Sequence, residues 1–500
     1  MKALRFILLF AILLTACIPL SAPTPAPAST PVPTNVPDEL AIFRQGLVSA
    51  NHNDLALLDH PTRYDLTLQY DPSGPTLSGT QDVLYFNRQA APLNEIYFRL
   101  FANYPDSGGK FAISNLTIDG AASAFALQVQ NTALQVPLAK PLAPGASLHA
   151  HLDFVVTIPR ESKTHYADFT ANDSIVTVPS VSPLIPAYDT AGWHIELPPA
   201  YGDLVYADVS LYVVTLTVPS QMTVIASGST LDTRDNGNGT TTWRMAGAPM
   251  RDFDFNFTAQ LQKVSATIGE TTINSWYEAN DADAGKQALQ YATDAFKTYE
   301  KRFGAYPYRE LDVIETPTTA GGIEYPGVIV VNRNIYQNTR ERDTLAFVIA
   351  HEVSHQWWYA LVGNDQVNFP WVDEALAQYS TLIYFEDVRG AAAGQSVLKN
   401  NFQAVYDRAK KASRDAVVNQ PVSAFDEGSY SEMVYNKAPL FFDAIRKKMG
   451  DAVFFKFLQT FFERFRYRIV TPDDLLKTAE DVYGQSLKAE YQLWILSVAK

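Results

Sequence analysis

The spacing of apolar and polar positions along this chain changes once. Up to about residue 262 it alternates. Phe253, Phe255 and Phe257 take turns with Asp252, Asp254 and Asn256, the period of a strand with one buried face. Residues 211–218 are rich in β-branched side chains, and 64–70 and 83–87 read as further paired strands. Asp235-Asn236-Gly237-Asn238-Gly239 is a hairpin turn. From about residue 263 the apolar spacing becomes three and four. Leu289, Ala292, Phe296, Tyr299 and Phe303 share one helical face. Strands are predicted at 311–315 and 328–332, and helices dominate after them. Residues 343–362 contain no Pro or Gly and carry Leu345, Val348, Ile349 and Trp358 at apolar positions; 372–388 form a second helix. Thr471-Pro472-Asp473-Asp474 starts another, with Thr at the cap and Pro at the first position. The pattern predicts a multidomain α+β protein. An all-β domain spans residues 38–262, and an α+β domain that turns helical spans 263–500. No internal repeat is evident.

Length and composition narrow the picture. The chain has 500 residues, 47% of them hydrophobic, ample for two or three cored domains. A net charge of −14 speaks against nucleic acid or an anionic membrane as partner of the folded part. The N-terminus reads as a targeting segment: Lys2 and Arg5 precede a short apolar core from Phe6 to Leu14. Leu14-Thr15-Ala16-Cys17 then resembles the lipobox of bacterial lipoproteins. It predicts a signal peptide over residues 1–17 and a lipid on Cys17 that holds the protein to a membrane outside the cytoplasm. The apolar run falls short of the ~20 residues a spanning helix needs. Residues 18–37, with seven prolines, predict an extended tether. Cys17 is the only cysteine, which excludes a Cys-rich structural zinc site.

The chemistry is concentrated in His351-Glu352-Val353-Ser354-His355. On a helix the two imidazoles stand one turn apart on one face and can grip one metal, with Glu352 beside them as general base. A catalytic zinc takes three protein ligands and keeps one position for water. Glu374, nineteen residues after His355, supplies the third ligand. His52, His60, His149, His151, His165 and His194 all lie in the first 200 residues; beyond them only the motif pair remains. Neither a phosphate loop nor a Gly-x-Ser-x-Gly elbow is present. One Zn2+ on His351, His355 and Glu374 would lower the pKa of its water toward ~7.

These residues resemble the gluzincin peptidases of the aminopeptidase N type, which include the leukotriene hydrolase/aminopeptidase. Gly321-Gly322-Ile323-Glu324-Tyr325-Pro326-Gly327 resembles the family's Gly-Ala-Met-Glu-Asn exopeptidase motif. Trp371-Val372-Asp373-Glu374-Ala375 resembles its Trp-Leu-Asn-Glu-Gly, and Val434-Tyr435-Asn436-Lys437-Ala438 its Tyr-x-Lys-Gly-Ala. Weaker likeness runs from about Tyr64 to Trp494. The resemblance implies a saddle-like N-terminal β-domain and a thermolysin-like catalytic domain, in a short form expected to lack the family's C-terminal helical domain. It implies that Tyr435 stabilises the oxyanion, that Glu324 pairs with the substrate's α-ammonium, and that Gly321 and Gly322 let a peptide backbone approach. Ile323 and Tyr325 depart from the usual Met and Asn. The family's amine-binding glutamine, expected near Ile175 upstream of Pro186-Ala187-Tyr188-Asp189, has no counterpart.

The expected function is zinc-dependent release of N-terminal residues from peptides outside the cytoplasm. A zinc endopeptidase or broader hydrolase on the same scaffold is the alternative. A non-enzymatic surface-binding lipoprotein is a third reading, which the intact ligands, base and tyrosine oppose. No residue pattern sets the side-chain preference or the oligomeric state.

Overall fold

The alternating first half folds into sheets, the largest of eight strands. Near its centre Arg63–Asp71 pairs in parallel with Ser210–Pro219 and antiparallel with Thr76–Phe86. Tyr64, Leu66, Leu68 and Tyr70 point inward along that strand, and Tyr64 stacks on its partner Tyr212 with ring centroids 4.9 Å apart. The predicted hairpin joins Ser229–Asp235 to Thr240–Met250. Gly237 and Gly239 take left-handed φ values of 72° and 84° there, which a side chain would resist. The computed structural model describes residues 38–162, 165–172, 174–338 and 342–498. The predicted signal segment, Cys17 and the tether lie outside the described residues. Among the described residues, no helix is long and apolar enough to cross a membrane.

One expectation from the alternating pattern fails. Phe255–Thr258 belongs to a four-stranded sheet, but it is not half-buried. Asp252, Asp254 and Asn256 are buried along with the phenylalanines. The second half of the chain covers the polar face, and a core of Ile175, Ile225, Trp276, Ile314, Val328 and Val330 joins the two halves. Arg251 strengthens the joint, donating to the carbonyls of Tyr359, Ala207, Leu361 and Arg468.

The second half opens with a five-stranded sheet. Its order is Gln262–Ile268, Thr271–Tyr277, Glu310–Thr316, Val328–Asn332 and, at the edge, the antiparallel strand Gly322–Tyr325. The helix Ala282–Arg302 buries Ala292, Phe296 and Tyr299 at the three-and-four spacing read in the sequence, while Leu289 is half-buried and Ala288 takes the inner position. The predicted helix 343–362 is shorter, Arg342–Ser354. Beyond Ser354 the chain turns to bury Trp357 and Trp358 and enters the strand Val362–Asn364. Packing of two indoles outweighs helix propensity there. The next helix runs Trp371–Arg389 and stops at Gly390, φ 91°. Thr471 and Asp474 form a capping box at Pro472–Tyr483.

Candidate active site

His351 lies in the last turn of its helix and His355 just beyond its end, yet their rings, at 84° to each other, still bring their Nε2 atoms together. The two Nε2 atoms are 3.2 Å apart. Glu374, in the first turn of Trp371–Arg389, brings Oε2 to 3.3 Å from one and 3.4 Å from the other. A tetrahedral zinc with bonds of ~2.0–2.1 Å holds its ligand atoms roughly 3.3–3.4 Å apart, so the triangle has the edge lengths of one zinc site. The chemistry agrees. Glu374 Oε2 is buried with no hydrogen-bond partner in the protein. His355 Nδ1 is 2.9 Å from the Trp358 carbonyl; a proton there leaves Nε2 with its lone pair toward the centre. The three donors fit a single zinc ion.

Glu352 is buried beside this triangle, its ligand atom within 4.8 Å of those of both imidazoles. The edge strand presses against it. A Cβ on Gly322 would lie 2.5 Å from Cγ and Oε1 of Glu352. Gly322 therefore leaves room for the glutamate. Gly321 differs, since a Cβ there would meet nothing nearer than Val348 Cγ2 at 3.7 Å, and its cleft side is open.

Two glutamines fix Glu324 next to the zinc triangle. Gln356 accepts from the Gly327 amide at 2.8 Å and donates to the Tyr325 carbonyl at 3.0 Å, tying the edge strand to the histidine segment. Gln366 donates to Glu324 Oε1 at 3.2 Å and to Asp373 Oδ2 at 2.7 Å. Tyr325 donates to Asp168 of the β-half. Tyr435 sits in a π-helical turn, Ser431–Lys437, and donates to Glu374 Oε1 at 2.5 Å. Lys437 anchors that turn. Its buried ammonium donates to Asp415 and to the carbonyls of Ala416 and Ser497, each at 2.7 Å.

The sequence reading missed Asp203. This residue of the β-half places a carboxylate within 4.8 Å of those of Glu324 and Glu374. No motif marks it; a loop far away in sequence delivers it. Ile175, the neighbourhood where a glutamine was sought, is buried in the core between the halves. Tyr166 was missed too. Its φ of 56° is unusual for a non-glycine residue, its carbonyl accepts from Thr318 and Thr319, and its ring lines the cleft.

Charge is crowded here. Burial, then Glu324, push the Glu352 carboxyl well above its usual range; burial, then Glu324 and Glu374, do the same to Asp203. Burial raises Asp373 to about 7, with Glu374 adding to it. Burial would raise Glu374 as well, but the two imidazoles outweigh it and hold that carboxyl well below the usual range. Five carboxylates, four of them buried, and two buried imidazoles in one cleft are the surroundings a divalent cation stabilises.

Residues 287–494 match the peptidase family M1 domain. The chain carries a peptidase family M1 domain. Aminopeptidase B from Homo sapiens is 28% identical over 224 residues, 43% of this chain and 34% of that protein. Aminopeptidase N from Streptomyces lividans is 24% identical over 240 residues, 46% of this chain and 28% of that protein. The match thus spans about a third of the length of these relatives. The structure of an M1 zinc metallopeptidase from Deinococcus radiodurans superposes with a TM-score of 0.62 at 21% identity, covering 88% of this chain and 95% of that one. At that identity the likeness carries the fold. It includes a β-half before the M1 domain and helices after the zinc segment, the two-part arrangement read from the sequence. The M1 domain holds the zinc triangle, Glu352, Glu324 and Tyr435, while Asp203 and Tyr166 come from the β-half.

Proposed function

We propose that this chain is a zinc aminopeptidase that releases N-terminal residues from peptides outside the cytoplasm. One observation carries the reading: Glu324, buried, and Asp203, half-buried, bring two carboxylates beside the zinc triangle in the same cleft. A free α-ammonium, pKa ~8, can pair with both. That places the first peptide bond, and no later one, at the reacting centre. When bound, zinc supplies a Lewis acid that polarises the scissile carbonyl and acidifies water. Glu352 takes the proton of the attacking water and passes it to the leaving amine. Tyr435 turns its hydroxyl from Glu374 to the oxyanion. The edge strand Gly322–Tyr325 offers its outer edge, short of the Tyr325 carbonyl that Gln356 holds, to an extended peptide, with Gly321 leaving room.

The neighbours support a peptide substrate: a mutant of the Deinococcus radiodurans enzyme has been solved bound to Tyr-Ser-Ala. Asp203 adds a second carboxylate beside Glu324 for an α-ammonium, which supports the exopeptidase reading over the endopeptidase one. The test is paired substrates. N-acetylation of a peptide should lower kcat/KM at least ~100-fold, because the blocked amine carries no charge to pair with Glu324 and Asp203. Equal cleavage of free and acetylated peptides would establish the endopeptidase instead.

The extracytoplasmic part of the proposal rests on Lys2, Arg5, the apolar run to Leu14 and Cys17. Two or more acyl chains on Cys17 would anchor the protein stably. Cys17→Ser should move the activity from the membrane fraction to the soluble one; unchanged fractionation would refute the anchor.

A further inference from the structure

A second cavity opens from the cleft at Tyr166, Asp203, Ile323 and Glu324, residues that line both. It measures about 90 Å³. On that measure one water needs ~10–15 Å³, so the space holds a substantial side chain. Phe101, Tyr104, Phe169, Leu204, Val205 and Tyr359 give it mainly apolar walls. Asp168 and Asp252 line this cavity and not the cleft. No Lys, Arg or His lines it, among the described residues.

The two aspartates are 4% and 1% exposed. Asp168 accepts from Tyr325 through Oδ2, and Asp252 accepts from Ser180 through Oδ2 and has the Tyr359 hydroxyl beside it. Oδ1 of each is buried without a hydrogen-bond partner. The neighbouring Arg251 points its donors at four carbonyls. Buried carboxylates left so incompletely paired are costly, and a cation entering the cavity would complete them.

We propose that this cavity receives the side chain of the substrate's first residue and selects a basic one, lysine or arginine, through Asp168 and Asp252. The proposal rests on the aminopeptidase reading, since Glu324 and Asp203 at the mouth must hold the α-ammonium for the first side chain to enter. The methylene stem of a Lys or Arg suits the apolar walls, and its charged end suits the two acids. Burial raises both acids to about 7, so near neutral pH they are readily ionised by an incoming cation.

The test compares anilides of lysine and norleucine, and of arginine and citrulline, on the zinc-loaded protein. Each pair differs in charge and little in shape. Expected is a kcat/KM at least ~10-fold higher for the charged member of each pair. Asp252→Asn and Asp168→Asn should each pull that ratio toward one. The ratio in the unmodified protein keeps the proposal testable if either variant folds poorly. Hydrolysis of all four substrates with ratios near one overturns the cavity assignment and leaves the aminopeptidase standing. Hydrolysis of none overturns both.

Discussion

Gly322→Ala isolates a contact on which the catalytic base depends. The added methyl would stand 2.5 Å from Cγ and Oε1 and 2.6 Å from Cδ of Glu352. Ordinary contact begins near 3.4 Å, so the carboxylate must move by about 0.9 Å. The far end of a glutamate moves easily, and Gly322 is not among the glycines with positive φ. The fold should therefore tolerate alanine. The chemistry should not: a displacement near 1 Å at a reacting group lowers the rate by ~10²-fold. The assay is steady-state hydrolysis of an aminoacyl anilide, with zinc content and Tm measured on the same preparation. Expected is kcat down about a hundredfold, with KM, zinc and Tm nearly unchanged. Gly321→Ala, whose methyl would have 3.7 Å of clearance, serves as comparison and should act on KM through the substrate. A Gly322→Ala enzyme that keeps a third of its kcat, or loses only KM, would refute the steric account.

Glu352→Gln should lower kcat by ~10²–10⁴-fold and Tyr435→Phe by ~10²–10³-fold, both with zinc retained by metal analysis. Removal of zinc by a chelator should abolish activity and lower Tm, and zinc should restore both; unchanged Tm would show that the triangle is not the binding site. Lys437→Met removes a fully buried cation from Asp415 and two carbonyls, and urea unfolding should register a loss of about 3–5 kcal/mol. Burial opposes charge on His194, but Glu196 and Asp189, each 2.9 Å away, outweigh it and raise its pKa to about 9. That lies above the unfolded value of ~6.5, so the stabilisation is complete below pH 6.5 and fades as pH rises through 9. Tm should decline over that window, and His194→Gln should flatten the decline.

The sequence by itself determined the parts of this protein that are written locally. A two-residue period gave the strand Arg63–Asp71, and a three-and-four period gave Ala282–Arg302, because each regular element repeats its inward face at a fixed interval. The spacing of His351 and His355 brought two candidate ligands together before any fold was known, although the helix ends before the second. Glu374, Glu324 and Tyr435 were legible because each sits in a short run of recognisable residues. What only the tertiary structure decided is what comes together across long separations. The end of the zinc helix at Ser354 depends on where Trp357 and Trp358 can be buried. The alternation around Phe255 gave the right strand but the wrong exposure, since the burial of Asp252 and Asp254 comes from a surface contributed by the other half. Asp203 and Tyr166 carry no local mark at all. They reach the cleft because two halves of the chain share one core, and the partners of a buried carboxylate are a property of that packing, not of its neighbours in sequence.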